Sequence, residues 1–419
     1  MNGKLMGGFN MKKRFLFITF DIIRDGDLKT SLAMGSILAF LESDSEISEK
    51  WDFEHKSYNI HNSLAINAEE EVSKLGIERF ETIAISAYIW AENLVKDFIA
   101  NIRKNGFCGK IILGGYQVSD SLEDIKFRYA GVDVFIYGYA ELALKKYLSR
   151  NAKEAFINCS ANDCKLTPVY SNGIIKVPFG AKSVRLETKR GCPFACSFCR
   201  HRIEGEKVRD IDLHISKEEI SFLLEQQVEK VNIVDPIFNF GKSYFNILEH
   251  IARHKNSKTK FSFQCRLENI AKNGEKFLDM LSDSNHILEF GLQTTDLEIS
   301  KRINRANNMI QVKKALDLLN KYKTKYEVSI IYGLPGQTTD KFKKDILFLR
   351  EHGCEKILAF PLKLLPGTKL WSQKDMWQIK EDICEYGIPF VTSCYSFSCE
   401  DYKEMREIAQ TQGLTKEKL

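Results

Sequence analysis

Three cysteines stand close together, Cys192, Cys196 and Cys199, in the stretch Arg190-Gly191-Cys192-Pro193-Phe194-Ala195-Cys196-Ser197-Phe198-Cys199-Arg200. Thiolates are soft ligands, and a soft set selects iron–sulfur clusters or zinc over hard cations. A cubane held wholly by protein needs four thiolates. Three from one compact loop fill three corners and leave one iron open to a substrate or cofactor. A structural zinc site wants a fourth Cys or His. His201 is adjacent but badly placed, so the cluster reading is the stronger. Phe194 and Phe198 would keep such a centre dry, which influences its potential; simple packing explains them as well.

Polar and glycine-rich segments follow the strand-like runs downstream. Asp235-Pro236-Ile237-Phe238-Asn239 follows Lys230–Val234, and Gln264 and Arg266 close the run that starts at Lys260. Glu289 through Gln293 close the next. Gly333-Leu334-Pro335-Gly336-Gln337 follows Glu327–Tyr332, and Leu365-Pro366-Gly367-Thr368 follows Lys356–Phe360. Active sites of β/α barrels lie at the carboxyl ends of the strands, so these positions converge on one mouth. Arg266 and Glu289 equally suit a structural ion pair. Gly333 and Gly336 equally suit turn formers.

The stretch RGCPFACSFC resembles the cluster loop of the radical S-adenosylmethionine (SAM) superfamily, at the end of the first barrel strand. The resemblance implies a 4Fe-4S cluster on Cys192, Cys196 and Cys199, with SAM chelating the open iron. One electron, from a reductant such as flavodoxin or ferredoxin, would cleave SAM to a 5′-deoxyadenosyl radical. It also implies SAM contacts among Phe198, Asp235, Phe238, Gln264, Arg266, Glu289, Gln293, Gly333, Leu334 and Pro335.

The elements that must position these residues alternate strand and helix along the chain. Arg14–Phe20, Phe53–Ile60, Thr82–Ala87, Lys110–Leu113 and Asp133–Tyr137 read as strands, with helical stretches such as Ser31–Leu41 and Glu92–Lys104 between them. This predicts a doubly wound parallel sheet over 1–148, with ligands at the carboxyl ends of its strands. Gly114, Gly115 and Gly138 lie there. An irregular linker is expected over 149–182. Six further βα units predict a partial (β/α)6 barrel over 183–372, and a short helical tail over 373–419. The fold class is α/β.

Placed before such a barrel, the first domain looks like the cobalamin-binding Rossmann-type domain of one branch of the superfamily. Gly114-Gly115 corresponds to its GGP turn and Gly138-Tyr139-Ala140-Glu141 to its GEGE turn. Tyr116 replaces the proline, and Tyr139-Ala140 replaces Glu-Gly. The loop that supplies an axial histidine in some cobalamin proteins would fall at Asp21-Ile22-Ile23-Arg24-Asp25-Gly26. Ile23 stands at the ligand position and cannot bind cobalt. Cobalamin without a protein ligand fits this sequence, and so does a sheet kept only as scaffold or substrate platform.

Two reactions fit. Epimerisation at a peptide Cα needs a hydrogen donor, and the tail offers the thiols of Cys384, Cys394 and Cys399, with Cys265 and Cys354 as weaker candidates. Each equally suits a small buried hydrophobe. The short chain, Ile23 and these thiols favour epimerisation of a ribosomal peptide. The alternative is cobalamin-dependent methyl transfer to carbon. A methylthiotransferase would need a second cysteine trio, and none occurs.

The bulk composition agrees. Hydrophobic residues make up 44% and charged residues 28% of 419 residues, with a net charge of +5; neither favours nucleic acid or a membrane surface. No apolar run reaches the roughly 18 residues of a membrane span. Eleven cysteines without a secretion signal point to a reducing compartment, the cytoplasm.

Overall fold

A computed structural model describes residues 11–61, 66–118, 121–150, 154–159, 165–202, 206–254, 257–384 and 386–415. The chain divides into two compact units, Met1–Arg24 with Lys29–Thr167, and Asp25–Leu28 with Pro168–Leu419.

The first unit is built on strands β1 (Lys13–Asp21), β2 (Trp51–Asn59), β3 (Thr82–Ser86), β4 (Lys110–Gly114), β5 (Val134–Gly138) and β6 (Phe156–Cys159). They form one parallel sheet in the order β2-β1-β3-β4-β5-β6. The run Phe15–Phe20 is nearly all apolar because both faces of β1 are covered. Leu16, Ile18 and Phe20 enter one core with Val95, Phe98, Ile99 and Ile102 of the helix Glu92–Lys104. Phe15 and Phe17 enter the other, with Met34 and Leu41 of the helix Leu32–Glu42 and Leu144 of the helix Ala140–Arg150. Each such large side chain stabilises the fold by about 1.5–3 kcal/mol relative to exposure. The stretch read as an irregular linker contributes β6, a short edge strand alternating buried and exposed residues, paired with β5.

The second unit carries β7 (Val184–Leu186), β8 (Lys189–Arg190), β9 (Arg209–Asp210), β10 (Lys230–Ile233), β11 (Lys260–Cys265), β12 (His286–Gln293), β13 (Tyr326–Tyr332), β14 (Ile357–Pro361), β15 (Lys380–Ile383) and β16 (Pro389–Ser393). Six of them form a parallel sheet in the order β14-β13-β12-β11-β10-β7. Consecutive parallel strands joined by helices make an open barrel. Alternation assigns the two faces. Val231, Ile233, Phe261, Phe263, Leu288, Phe290, Val328 and Ile330 are buried on one face. The register partners Asn232 and Ser262, and then Gln264 and Glu289, lie on the other, with Gln264 exposed and Glu289 half-buried. A polar inner face is what a barrel that holds a polar ligand requires.

The tail is more than helix. β15 and β16 form an antiparallel hairpin, and the helix Cys399–Thr411 follows, opened by a Ser398–Asp401 capping box. Backbone bonds tie this segment to the barrel: Leu364 N–H to Pro389 O, Val391 N–H to Leu362 O, and Ala359 N–H to Leu414 O, at 2.8–2.9 Å. Among the described residues, no helix is long and apolar enough to cross a membrane.

Candidate functional site

In the second unit the loop Gly191–Arg200 leaves β8, and β9 returns beside it as an antiparallel ladder of two residue pairs. Its base is fixed by buried charge. Asp235, wholly buried after β10, accepts the Thr188 N–H at 2.7 Å, the Thr188 hydroxyl at 2.5 Å and the Lys189 N–H at 2.9 Å. Burial pushes its carboxyl up to about 7 despite those donors. The buried Lys189 Nζ reaches Asp210 at 2.7 Å, Phe240 O at 2.8 Å and Ser243 Oγ at 3.2 Å.

The loop itself is held by backbone contacts. Ser197 N–H donates to Ile303 O at 2.9 Å, Leu370 N–H to Ser197 O at 2.7 Å, and Asn304 Nδ2 to Ala195 O at 2.7 Å. Cys192, Cys196 and Cys199 are all free and half-buried. Arg305 places Nη1 3.6 Å from Cys196 Sγ, and its other amino group donates to Gly291 O. The His201 backbone N–H lies 3.5 Å from Cys199 Sγ. Burial pushes the Cys192 thiol up and the Cys199 thiol to about 11. Such thiols stay protonated at neutral pH unless a metal displaces the proton.

Three soft donors on one loop, part-buried and faced by a guanidinium, fit an anionic cluster with one open corner. Among the described residues, no three His, Cys, Asp or Glu side chains gather around the position of a single ion. A cubane takes each thiolate on a different iron, whereas a structural zinc site wants a fourth Cys or His on the same ion.

Strand-end residues divide into two kinds. Gln264, Glu289 and Gln293 are open to the barrel mouth, and Gln293 has φ of +73° where β12 and β13 shift register. A non-glycine residue held in that region is concentrated at functional sites. Others look inward to the protein. Phe238, read as a cofactor contact, is a core residue 4.5 Å from the Phe263 ring. Leu334 is wholly buried, and Gly333 and Pro335 are buried beside it. Gln337 shapes that turn: its Oε1 accepts from Gly333 N–H at 2.9 Å and Leu334 N–H at 3.2 Å. Arg266 does not pair with Glu289; it bonds Glu268 at 2.9 Å and Ala306 O at 2.8 Å. Its guanidinium lies 3.8 Å from the Phe194 ring centre, so Arg266 packs on the cysteine loop. Phe198 is half-buried on that loop. Asp235 is spent on Thr188 and Lys189.

The tail thiols occupy three different places. Cys394 lies beside the fifth strand's turn: its Sγ is 3.2 Å from Ser396 Oγ, which accepts the Gly336 N–H at 2.8 Å. Cys384 sits in the hairpin turn, bonded through its N–H to Ile388 O. Cys399 is exposed at the start of the last helix. Cys265 and Cys354 are buried.

Sequence reading missed Arg305 and Lys189, and it placed Gln337 at the mouth, whereas the residue is buried and braces its own turn. The run Lys301-Arg302…Arg305 was the available signal for the first.

In the first unit, strand order reverses between β1 and β3, which opens a crevice at their carboxyl ends. Gly114 and Gly115 end β4 there, and Gly138 ends β5. Gly115 has φ of +111°, and a Cβ would stand 2.5 Å from Ala87 O, so this glycine lets β4's turn close on β3. Beside it Tyr88 stacks on Trp90 at 4.5 Å, and Trp90 donates to Phe20 O at 3.0 Å. Ile23 is clamped by Asn59, which exchanges two 2.9 Å bonds with its backbone. His55 on β2 lies 2.9 Å from Thr19 Oγ1.

A model of the radical SAM superfamily matches residues 186–349. The second unit thus carries a stretch similar to the radical SAM domain. The chain is 24% identical over 414 residues to the cobalamin-dependent radical SAM methyltransferase TokK of Streptomyces tokunonensis, covering 85% of itself and 56% of that protein. It is also 24% identical to 2-(S-pantetheinyl)-carbapenam-3-carboxylate methyltransferase of Streptantibioticus cattleyicolor, with the same two coverages. The chain thus spans little more than half the length of these curated relatives. Its fold matches the methyltransferase TsrM of Kitasatospora setae, solved with cobalamin and a [4Fe-4S] cluster, with a TM-score of 0.68 at 13% identity. That match covers 97% of this chain and 90% of the other.

Proposed function

We propose that this chain is a cobalamin-dependent radical SAM methyltransferase. The observation that carries the reading is the half-buried trio Cys192, Cys196 and Cys199 at the mouth of the barrel, following a sheet of the cobalamin-binding type. The relatives favour methyl transfer over the peptide epimerisation expected from the sequence. Ile23 carries no donor for cobalt, so cobalamin would sit without a protein ligand from that loop.

The cluster supplies one-electron chemistry at SAM, and cobalamin supplies a carrier for the methyl group. The protein's own part is to hold and to shield. Asp235 and Lys189 fix the loop's base; Ser197, Asn304 and Leu370 hold its rim. Phe194, stacked on Arg266, keeps water from one side. Gln264, Glu289 and Gln293 offer hydrogen-bond partners at the mouth for the polar groups of SAM. In the first unit Gly114, Gly115 and Gly138 let backbone approach a ligand closely, and Tyr88 and Trp90 offer a flat apolar surface. A reductant must feed the cluster, and a reducing compartment such as the cytoplasm suits the free thiols.

Hydrogen exchange at a peptide Cα keeps one observation in its favour: Cys394 lies against the fifth strand's turn. One experiment separates the two. Anaerobically reconstituted protein from cobalamin-fed cells should show a corrin spectrum, and its product should gain a methyl. One deuterium gained from D2O without a methyl would overturn the methyltransferase reading.

A further inference from the structure

Three chain segments bonded to the rim of the cysteine loop carry basic residues. Backbone and side-chain bonds bring Ile303 to Ser197, Asn304 to Ala195, Leu370 to Ser197, and Arg200 to Pro366 O at 2.8 Å. Three stretches are thereby gathered around the loop: Arg200-His201-Arg202, Lys301-Arg302-Ile303-Asn304-Arg305 and Pro366-Gly367-Thr368-Lys369-Leu370. They hold six Lys and Arg and no Asp or Glu, with Glu204 and Glu206 the next acids along the sequence after Arg202, in a chain that is nearly balanced at 61 basic and 56 acidic residues.

The charges do not all serve the interior. Arg305 turns in towards Cys196, but Arg202, Lys301, Arg302 and Lys369 are exposed. Lys301 pairs with Glu298 at 2.9 Å, with both side chains more than two-thirds exposed, and such a pair leaves most of the local field in place. Asp210, on the ladder beside the loop, is already bonded to Lys189. A rim in which basic side chains predominate draws an oppositely charged protein and orients it as it arrives.

We propose that this basic collar is the docking surface for a small acidic one-electron carrier protein. It rests on the cluster assignment proposed above. In the step it serves, the carrier loses one electron and the cluster gains it; no bond is made or broken and no proton moves. Docked on the collar, the carrier stands against the loop that holds the thiolates, with no intervening domain of this unit.

The test uses the full chain with its cluster loaded, under anaerobic conditions. Bleaching of the cluster absorbance is followed by stopped flow, with flavodoxin hydroquinone as one reductant and reduced methyl viologen, a small cation, as the other. The double variant Arg202→Glu with Lys369→Glu is expected to lower the second-order rate constant with flavodoxin by about tenfold or more at low ionic strength. It should also flatten the salt dependence of that rate. The viologen rate should not fall, and Lys314→Glu, on the outer helix Met309–Lys321, should change neither. An unchanged flavodoxin rate in the double variant overturns the proposal, as does an equal loss with both reductants. A chain that takes up no cluster would instead defeat the cluster assignment, and iron analysis distinguishes that failure.

Discussion

Asp235 accepts both the backbone N–H and the hydroxyl of Thr188, at 2.7 and 2.5 Å, just ahead of the cysteine loop. With Lys189 N–H it satisfies three buried donors at once. Asp235→Ala leaves those donors unpaired and should cost about 3–4 kcal/mol. Urea unfolding measures the loss, and iron per chain after reconstitution should fall with it. Wild-type iron content and stability would show that the base of the loop needs no such anchor.

Serine at Cys192, Cys196 or Cys199 should each abolish the brown colour and SAM cleavage, since a hard alkoxide donor is a poor substitute for a soft thiolate. Serine at Cys384 or Cys399 should leave the visible spectrum intact. Loss of colour in the tail variants would mean the ligand set is misassigned.

Arg305 presents a charged donor to the Cys196 sulfur at 3.6 Å. Hydrogen bonds and positive charge at the sulfurs favour the reduced cluster. Arg305→Met should therefore move the midpoint potential to more negative values, and Arg305→Lys should recover part of the shift. A redox titration followed by paramagnetic resonance reads this without turnover. An unmoved midpoint would assign Arg305 to Gly291 alone.

Asp345, on the helix Thr339–Glu351, takes the Thr295 N–H and hydroxyl at 2.6 Å each, and it ties the end of β12 to that helix. Burial outweighs these donors and pushes its carboxyl from 3.8 up to about 6. The folded state therefore holds a proton that the unfolded chain has released between those values. Its contribution is full below about 3.8 and is lost as pH rises through about 6, on the order of 2–3 kcal/mol in all. Urea unfolding from pH 4 to 7 should show wild type losing stability relative to Asp345→Asn. Parallel curves would contradict the shift.

Gly115→Ala forces a Cβ to 2.5 Å from Ala87 O at a φ of +111°. The cost should be about 1–3 kcal/mol from the backbone alone, read as a lowered urea midpoint. Gly173→Ala, with open space around it, has the same positive-φ strain without the collision and should cost less.

The parallel sheets, the barrel and the place of the cysteine loop follow from patterns the sequence displays openly: apolar runs spaced by helices, and three soft donors on one turn. Where each strand-end side chain points does not. Phe238 and Leu334 sit in the right segments, yet both turn into the core, because they lie in turns beyond β10 and β13 where no alternation pattern fixes a side chain's direction. Arg266 found Glu268 across a strand-to-helix turn rather than Glu289 on the next strand. Arg305 comes from a loop after a short helix, and only tertiary folding brings it to Cys196. β6 escaped notice because Phe156-Ile157-Asn158-Cys159 is only four residues long, as edge strands often are.

The bonds from Leu364, Leu362 and Ala359 to residues 389–414 have a further meaning for solubility. A barrel that stops at six strands has a raw outer border of unpaired amides and carbonyls, a ready template for another chain. Here the hairpin and the final turn bandage that border along β14 and beyond. A chain shortened to residue 372 should retain its cysteine loop but stick to its own copies, strand against strand.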